Sequence, residues 1–463
     1  MKDLYLYPVR SSRQKRGSRF RGFISNGVYR DIASSSADAI RGVQEERLKQ
    51  HLDYCLKHSP YYRRILKNED VNLGLDGLSQ LPFTQKSDIE KCNDDFCAVS
   101  LEKIRDIVLS SGTTGKPTKV MYTEYDLKRL AYNEEKAFIA CGITSEDIAL
   151  LTCTLDRCFV AGLAYFLGMR ALGAAAIRNG HGTLESHAQV IERMNPTVIV
   201  GVPTFLRKLG LYLMDKNINP TQMSVSKLIC IGEPLRDKKL RSLKVNRDLE
   251  DIWQAKTFST YASSETVTTF CECIYQAGGH LHPDLAIVEI IDDKDRPAPT
   301  GTVGEIVLTP LAVEGMPLIR FKTQDVSFLI DKPCACGRNS LRLGPILGRK
   351  NEMMKVRGTT LYPQAIYSAL EEIEGISDYF ITVTKESDLS ENIRISVALK
   401  DKTCGVGFIQ DVLQARLRVK PEIEIKDHQW VKEQVYTVES RKPVRFLDKR
   451  GLSQNTTVPD CTD

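Results

Sequence analysis

Residues 110–120 read SSGTTGKPTKV, flanked by the apolar Ile107, Val108 and Leu109 on one side and by Val120 and Met121 on the other. A strand that runs into glycines and hydroxyls and emerges as a second apolar run suits a polyphosphate. The glycines let backbone N–H groups approach, Ser110, Ser111, Thr113 and Thr114 offer hydroxyls, and lysine supplies charge. The nucleotide-binding P-loop needs G-x-x-x-x-G-K followed by Ser or Thr; here Gly112 and Gly115 stand too close together and Pro117 follows Lys116, so this is a different loop. Taken alone, such a cluster fits a surface turn equally well, and its meaning depends on the rest of the chain.

At 463 residues the chain exceeds what one hydrophobic core organises, so a large domain with a smaller companion is expected. A composition of 42% hydrophobic and 27% charged residues places it among soluble globular proteins. The net charge of +5, from 64 basic and 59 acidic residues, is too mild to argue for nucleic acid. MKDLYLYPVRSSRQKR lacks an export signal, and the longest apolar run, CFVAGLAYFLGM at 158–169, is too short to cross a bilayer of ~30 Å. A cytoplasmic protein without membrane partners is expected, with its 13 cysteines reduced and some of them free to bind metal.

The first hundred residues read as helical and close on the turn-like LPFTQKSDI. From about 105 to 330, apolar runs such as IALLTCTL, VIVGVP, KLICIGEP and GEIVLTPL alternate with helical stretches, which predicts βα units on a mixed sheet with ligand loops at strand ends. Near 348 the texture changes. YPQAIYSALEEI and VGFIQDVLQARL read as helices, FITVTK and IRISVALK as strands. The expected class is α/β, a large N-terminal domain of mixed sheets and helices plus a small mobile α+β C-terminal domain. The boundaries are 1–347 (with an extension over 1–44), 348–450, and a tail over 451–463.

Further motifs give the opening loop its context. IGEP at 231–234, YASSET at 261–266, RFKTQD at 320–325 and GRKNEMMKVRG at 348–358 follow it in order. Together the five resemble the signatures of the adenylate-forming superfamily. LPFTQKSDI, CECIYQAGGHLHPDLAIVEIID, CACGR, RGTTLYPQAI and VESRKPVRFLDKR resemble its phenylacetate-CoA ligase branch, over about residues 45–450.

The resemblance implies activation of a carboxylic acid, aromatic or arylacetic, by ATP to an acyl-adenylate and then transfer to coenzyme A. Ser110 to Lys116 and Lys119 would hold the β- and γ-phosphates; Gly232, Glu233 and Pro234 would flank the adenine. Tyr261, Ser264, Asp325 and Arg349 would complete the nucleotide site, Asp325 on the ribose hydroxyls. Glu265 would ligate Mg²⁺, and Lys442 would bridge the reacting carboxylate and the α-phosphate as the catalytic cation. The acid pocket is expected around Phe159, Ala161, Tyr165 and Ala262. Asn351 occupies the hinge position where many members carry Asp, and Thr118 rather than lysine follows the loop proline.

Cys273, His280, Cys334 and Cys336 form a second group, C-x₆-H followed by C-x-C, whose thiolate-rich donors suit a structural Zn²⁺. Cys271 and His282 are alternative ligands. The branch resembled carries these residues in the same motifs. Two other functions compete with the ligase: an enzyme that passes the acyl group to an amine or to a carrier-protein thiol, and a catalytically silent nucleotide-binding homologue. A homodimer is the default expectation for assembly.

Overall fold

In the computed structural model, which describes residues 31–71, 74–110, 118–356, 359–387, 390–400, 404–436 and 444–450, the apolar flanks of the opening motif pair as an antiparallel hairpin. β1 (Ile104–Ser110) meets β2 (Thr118–Thr123) with Ser110 opposite Thr118. Residues 111–117 lie outside the described residues. The chain divides into two compact units, Met1–Ile346 and Leu347–Asp463.

In the first unit, Ser36 opens helix α1 (Ala37–His58) by accepting a hydrogen bond from the Ala39 N–H. A short helix, α2 (Lys86–Lys91), begins where the Asp88 carboxylate accepts from the Gln85 N–H at 2.8 Å. Leu48, Leu52 and Cys55 of α1 join Tyr61, Tyr62 and Phe96 in one buried cluster. Thr123 ends β2 and caps α3 (Glu124–Ala140) in a reciprocal box with Asp126. The same Asp126 carboxylate accepts the N–H groups of Glu314 and Gly315 at 2.7 and 2.8 Å. Arg129 is fully buried; its guanidinium donates to the carbonyls of Leu311 at 2.7 Å, Leu285 at 2.6 Å and Val267.

Strand and helix then alternate: β3 (Ile148–Leu151), α4 (Ala161–Leu172), β4 (Ala175–Arg178), α5 (Leu184–Met194), β5 (Val198–Gly201), α6 (Pro203–Asp215), β6 (Lys227–Ile231), α7 (Lys244–Trp253) and β7 (Lys256–Ser263). The strands lie parallel in the order β4-β3-β5-β6-β7. Every residue of β5 is buried, which is why this parallel strand reads as an unbroken apolar run and not as an alternating one. Gly173, at φ +89°, ends α4 in the left-handed conformation that glycine adopts without strain.

Beyond β7 the sheet turns antiparallel. β8 (Thr268–Glu272), β9 (Gly279–His280), β10 (Ala286–Ile291), β11 (Gly304–Pro310), β12 (Phe321–Ser327), β13 (Leu329–Ile330) and β14 (Arg342–Leu343) follow. The large sheet continues β7-β8-β9-β14-β13, while β10, β11 and β12 make a separate antiparallel meander. The mixed α/β architecture predicted from the alternating runs is the one adopted. Most of CFVAGLAYFLGM lies within α4 as a core helix, and no helix among the described residues is long and apolar enough to cross a membrane.

The second unit contains β15 (Met354–Val356), β16 (Thr359–Leu361), α8 (Pro363–Glu371), β17 (Ile376–Ser387), β18 (Ser390–Leu399), α9 (Val406–Leu417), β19 (Glu422–Ile425), α10 (His428–Val435) and β20 (Phe446–Asp448). Its sheet runs β19-β18-β17-β20, antiparallel at the centre and parallel at both edges. Ile366 and Leu370 of α8 and Ile409 and Leu413 of α9 pack on Ile381, Ile393 and Ile395 of that sheet.

Candidate active site and metal cluster

Glu265 follows β7, and its surroundings explain its ionisation. Lys86 Nζ, at the start of α2, stands 3.2 Å from Glu265 Oε1, with side chains only 16% and 11% exposed. Ser263 Oγ donates to Glu265 Oε2 at 2.8 Å. Burial alone would raise the carboxyl's pKa, but Lys86, the residue's own N–H, Ser263 and nearby Ser110 outweigh it, so Glu265 titrates below the ordinary glutamate range. A buried, ionised carboxylate beside the base of a glycine-rich loop is a ready divalent-cation ligand.

The hairpin is tied to this carboxylate. Tyr122 of β2 donates to the Ser264 carbonyl at 2.8 Å, joining the strand after the loop to the turn that carries Glu265. Tyr261 of β7 donates to Asp325 Oδ2 at 2.9 Å. Burial raises the Tyr261 pKa, and the carboxylates of Asp325 and Glu265 raise it further, so the phenol stays a donor. Asp325 is aimed by a bulge in β12: Val307 pairs with Lys322 and Glu305 with Val326, leaving Thr323–Asp325 opposite Ile306 alone. At the bulge Gln324 takes φ +65° and donates its N–H to Glu305 at 3.2 Å, while the Thr323 hydroxyl donates to the Ile306 carbonyl at 2.9 Å.

The sequence-derived residues are thus brought together unevenly. Ser110, Tyr261, Ser264, Glu265 and Asp325 converge in the first unit. Gly232 turns the chain after β6 at φ +77°, but the Glu233 carboxylate accepts from the N–H and hydroxyl of Thr204 at 3.0 and 2.8 Å. That side chain holds the N-terminus of α6, as an acid at a helix start does. Lys119 lies on the exposed face of β2 and pairs with Asp94 at 2.8 Å.

Of the pocket residues, Phe159 and Ala161 are half-buried and Ala262 is exposed. Tyr165 is 2% exposed, its ring 6.2 Å from Phe138 within the core. Arg349 and Asn351 belong to the second unit. Ser111, Gly112, Thr113, Thr114, Gly115, Lys116 and Lys442 lie outside the described residues. Lys86, within LPFTQKSDI, joins the site from outside the sequence-derived set; nothing local in that turn announces a partner far along the chain.

The ligand atoms of Cys273, His280, Cys334 and Cys336 all lie within 4.8 Å of one another. Sheet order gathers them: Cys273 follows β8, His280 sits in β9, and the two other cysteines occupy the connection between β13 and β14, which turns at Gly337 with φ +83°. Cys273 and Cys334 sulfurs are 3.6 Å apart, and Cys336 Sγ is 3.4 Å from His280 Nε2. Burial pushes the Cys273 thiol up to about 12 and the His280 imidazole down to about 3. Burial also opposes ionisation of Cys336, yet the Arg338 backbone N–H and side chain draw that thiol below its ordinary range.

Cys271 and His282, the alternative ligands, fall outside the group; the Cys271 sulfur faces Cys141 at 3.3 Å and Thr260 at 3.1 Å. Residues 31–35 close over the cysteine loop. Arg338 Nε meets Asp31 Oδ2 at 3.2 Å, Lys136 Nζ meets Asp31 Oδ1 at 3.0 Å, and the Ala33 carbonyl accepts the N–H groups of Asn339 and Ser340 at 2.6 and 3.0 Å.

Comparison with known proteins agrees with this geometry. The family described as AMP-binding enzyme matches residues 52–312. A phenylacetate-coenzyme A ligase of Thermus thermophilus is 32% identical over 371 residues, 78% of this chain and 82% of the relative. One from Pseudomonas putida is 28% identical over 80% of this chain and 84% of its own. Among solved structures, a 2-hydroxyisobutyryl-CoA ligase in its postadenylation state covers 89% of each chain with a TM-score of 0.77 at 22% identity, a likeness of fold. With the family's matched span containing the β1–β2 hairpin and Glu265, and the ligase relatives covering most of the chain, this protein belongs to the AMP-binding enzymes and, within them, to the phenylacetate-CoA ligase branch.

Proposed function

We propose that the chain is an AMP-forming acid:CoA ligase that activates an aromatic or arylacetic acid. The carboxylate attacks the α-phosphorus of ATP, the bond to the bridging oxygen breaks, and pyrophosphate leaves; the CoA thiolate then displaces AMP from the acyl-adenylate. The observation that carries this reading is the buried, ionised Glu265 held by Lys86 and Ser263 beside the strand that enters the phosphate loop.

Two anions must meet, so the site has to supply positive charge and fixed alignment. Magnesium, when bound at Glu265, neutralises charge on the leaving pyrophosphate. The Ser110–Lys116 loop is proposed to cradle the β- and γ-phosphates, and Asp325, oriented by Tyr261, to accept hydrogen bonds from the ribose. The backbone of 232–234 is proposed to flank the adenine, leaving the Glu233 side chain to its helix. Lys442 is proposed as the cation that counts mainly in the transition state, and Asn351 as the hinge of the small unit. Phe159, Ala161 and Ala262 remain the proposed pocket margin.

The Cys/His cluster fits zinc by its dimensions. Zn–S bonds of ~2.3 Å and Zn–N bonds of ~2.0 Å in a tetrahedron require S···S edges of about 3.8 Å and S···N edges of about 3.5 Å. Two of the six donor–donor spacings are 3.6 and 3.4 Å, and all six are within 4.8 Å. Four protein ligands leave no open position, so the proposed role is structural. Such a thiolate set, kept reduced, suits a cytoplasmic protein.

Pyrophosphate release measured over a panel of aromatic and aliphatic acids, each with and without CoA, tests the reading. Acid-dependent release that turns over only with CoA is expected. Continued turnover without CoA would assign an amine or carrier thiol as acceptor, and absence of AMP from every acid would overturn the function.

A further inference from the structure

Arg450, the last residue of VESRKPVRFLDKR, spends all five of its guanidinium N–H donors inside the second unit. Nε and Nη2 donate to Asp448 at 2.8 and 2.5 Å, Nη1 to Glu391 Oε1 at 2.9 Å and to the Met353 carbonyl at 2.6 Å, and Nη2 also to the Asn351 carbonyl at 2.8 Å. Glu391, on β18, uses its other oxygen to accept the Lys355 N–H at 2.6 Å. The carbonyls of 351 and 353 and the N–H of 355 are therefore held by one guanidinium and the carboxylate paired with it.

That clamp has a mechanical meaning. With the carbonyl of Asn351 fixed to the small unit, the backbone from there to the Lys355 N–H is pinned at three points by charge-assisted hydrogen bonds, the stronger kind. Asn351 sits in the short 3-10 turn Lys350–Glu352, so its φ and ψ are the first torsions outside the guanidinium's grip, spanned by the single neutral bond from the Met353 N–H to the Lys350 carbonyl at 3.2 Å. We propose that Arg450 is a positioning residue that confines the hinge to Asn351 by clamping the carbonyl on its C-terminal side. The inference rests on the hinge role proposed above. Arg450 lies two residues beyond the strand β20, which ends at Asp448.

Without the clamp, the swing spreads over residues 351–355 and each catalytic pose loses definition. The test compares the two half-reactions in Arg450→Ala: adenylate formation without CoA, and thioester formation from preformed adenylate. The ratio of thioester to adenylate rate is expected to fall by about tenfold or more, because misplacement by about an ångström carries penalties of that order. Arg450→Lys keeps the charge but not the fork and should fall between. Arg394→Ala, which removes an exposed pair with Glu422 in the same unit, should leave the ratio unchanged.

A second readout is independent of activity. Amide exchange in peptides spanning 352–356 should quicken about tenfold in Arg450→Ala while the β17–β18 core keeps its protection. Should Arg450→Ala fail to fold, Glu391→Gln, which keeps the shape and removes the charge, carries both measurements. An unchanged half-reaction ratio or unchanged exchange overturns the proposal. If the parent chain makes no adenylate from any acid, the ligase reading fails, and the exchange measurement alone decides the clamp.

Discussion

Lys86 Nζ stands 3.2 Å from Glu265 Oε1, so the carboxylate proposed to bind magnesium carries its own counter-ion, supplied by a helix that starts far upstream in the chain. At an effective dielectric of about 20, two like charges 4 Å apart repel by about 4 kcal/mol. A divalent cation held at Glu265 would repel the Lys86 ammonium, which would then be available to pair with nucleotide phosphate. In Lys86→Met, adenylate formation should drop about 100-fold, as when one preorganised donor is lost.

The same pair sets a pH dependence. Glu265 is held below its ordinary range, so its ionised form and the stability it contributes are fully present above the unfolded-state pKa and are lost as pH falls through the lowered folded value. Removing Lys86 leaves burial unopposed by its largest compensator. The acid limb of the adenylation profile should move to higher pH in Lys86→Met; a limb that stays in place would rule out the electrostatic role.

Tyr261→Phe removes the donor that orients Asp325 while keeping the ring. A hydrogen bond to a charged group contributes about 1.5–3 kcal/mol, so KM for ATP should rise about tenfold or more with little change in the fold. Initial-rate kinetics at saturating acid read this directly, and an unchanged KM would place Asp325 away from the nucleotide.

Lys442→Ala should nearly abolish adenylate formation and leave ATP binding intact, because a cation that acts in the transition state contributes little to the ground state. Near-normal pyrophosphate release would reject the catalytic assignment of Lys442.

Cys334→Ser should reduce zinc from near one equivalent to a small fraction, measured by metal analysis of protein purified without chelator. Loss of a structural site withdraws folding energy, so the thermal transition should fall as well. Protein with no zinc in its parent form would refute the cluster's proposed role.

Arg129→Met takes the guanidinium from the carbonyls of Leu311 and Val267, while the Leu285 carbonyl keeps the Leu311 N–H at 2.7 Å. Each stranded group costs about 1–3 kcal/mol, so a loss of at least ~2 kcal/mol is expected in urea unfolding of the first unit.

What the sequence disclosed tracks how locally each task is encoded. The YASSET turn and RFKTQD, which the fold joins through Tyr261 and Asp325, were legible because each motif runs over several adjacent residues, as does the opening loop, whose residues 111–117 lie outside the described ones. The cysteine cluster was legible from donor chemistry, although its three strand ends meet only through sheet order. Lys86 was not legible, since its partner Glu265 lies far away in sequence, and Arg450 was not, since beyond its neighbour Asp448 it reaches Glu391 and the carbonyls of 351 and 353 only through the fold. Glu233 sits in a recognisable motif, yet its carboxylate is committed to Thr204, a cap that only the approach of β6 to α6 creates. The bulge that aims Asp325 depends on the pairing of β11 with β12, which no window within RFKTQD contains.

The seat of residues 31–35 on the cysteine loop limits how the chain may be shortened. A version beginning at residue 37 would leave the amides of Asn339 and Ser340 without their acceptor and would leave Lys136 with only Asp284, 3.6 Å away, of its two acidic partners. Engineering of this enzyme's leading end, by tag, fusion or trimming, therefore has its safe limit upstream of Asp31.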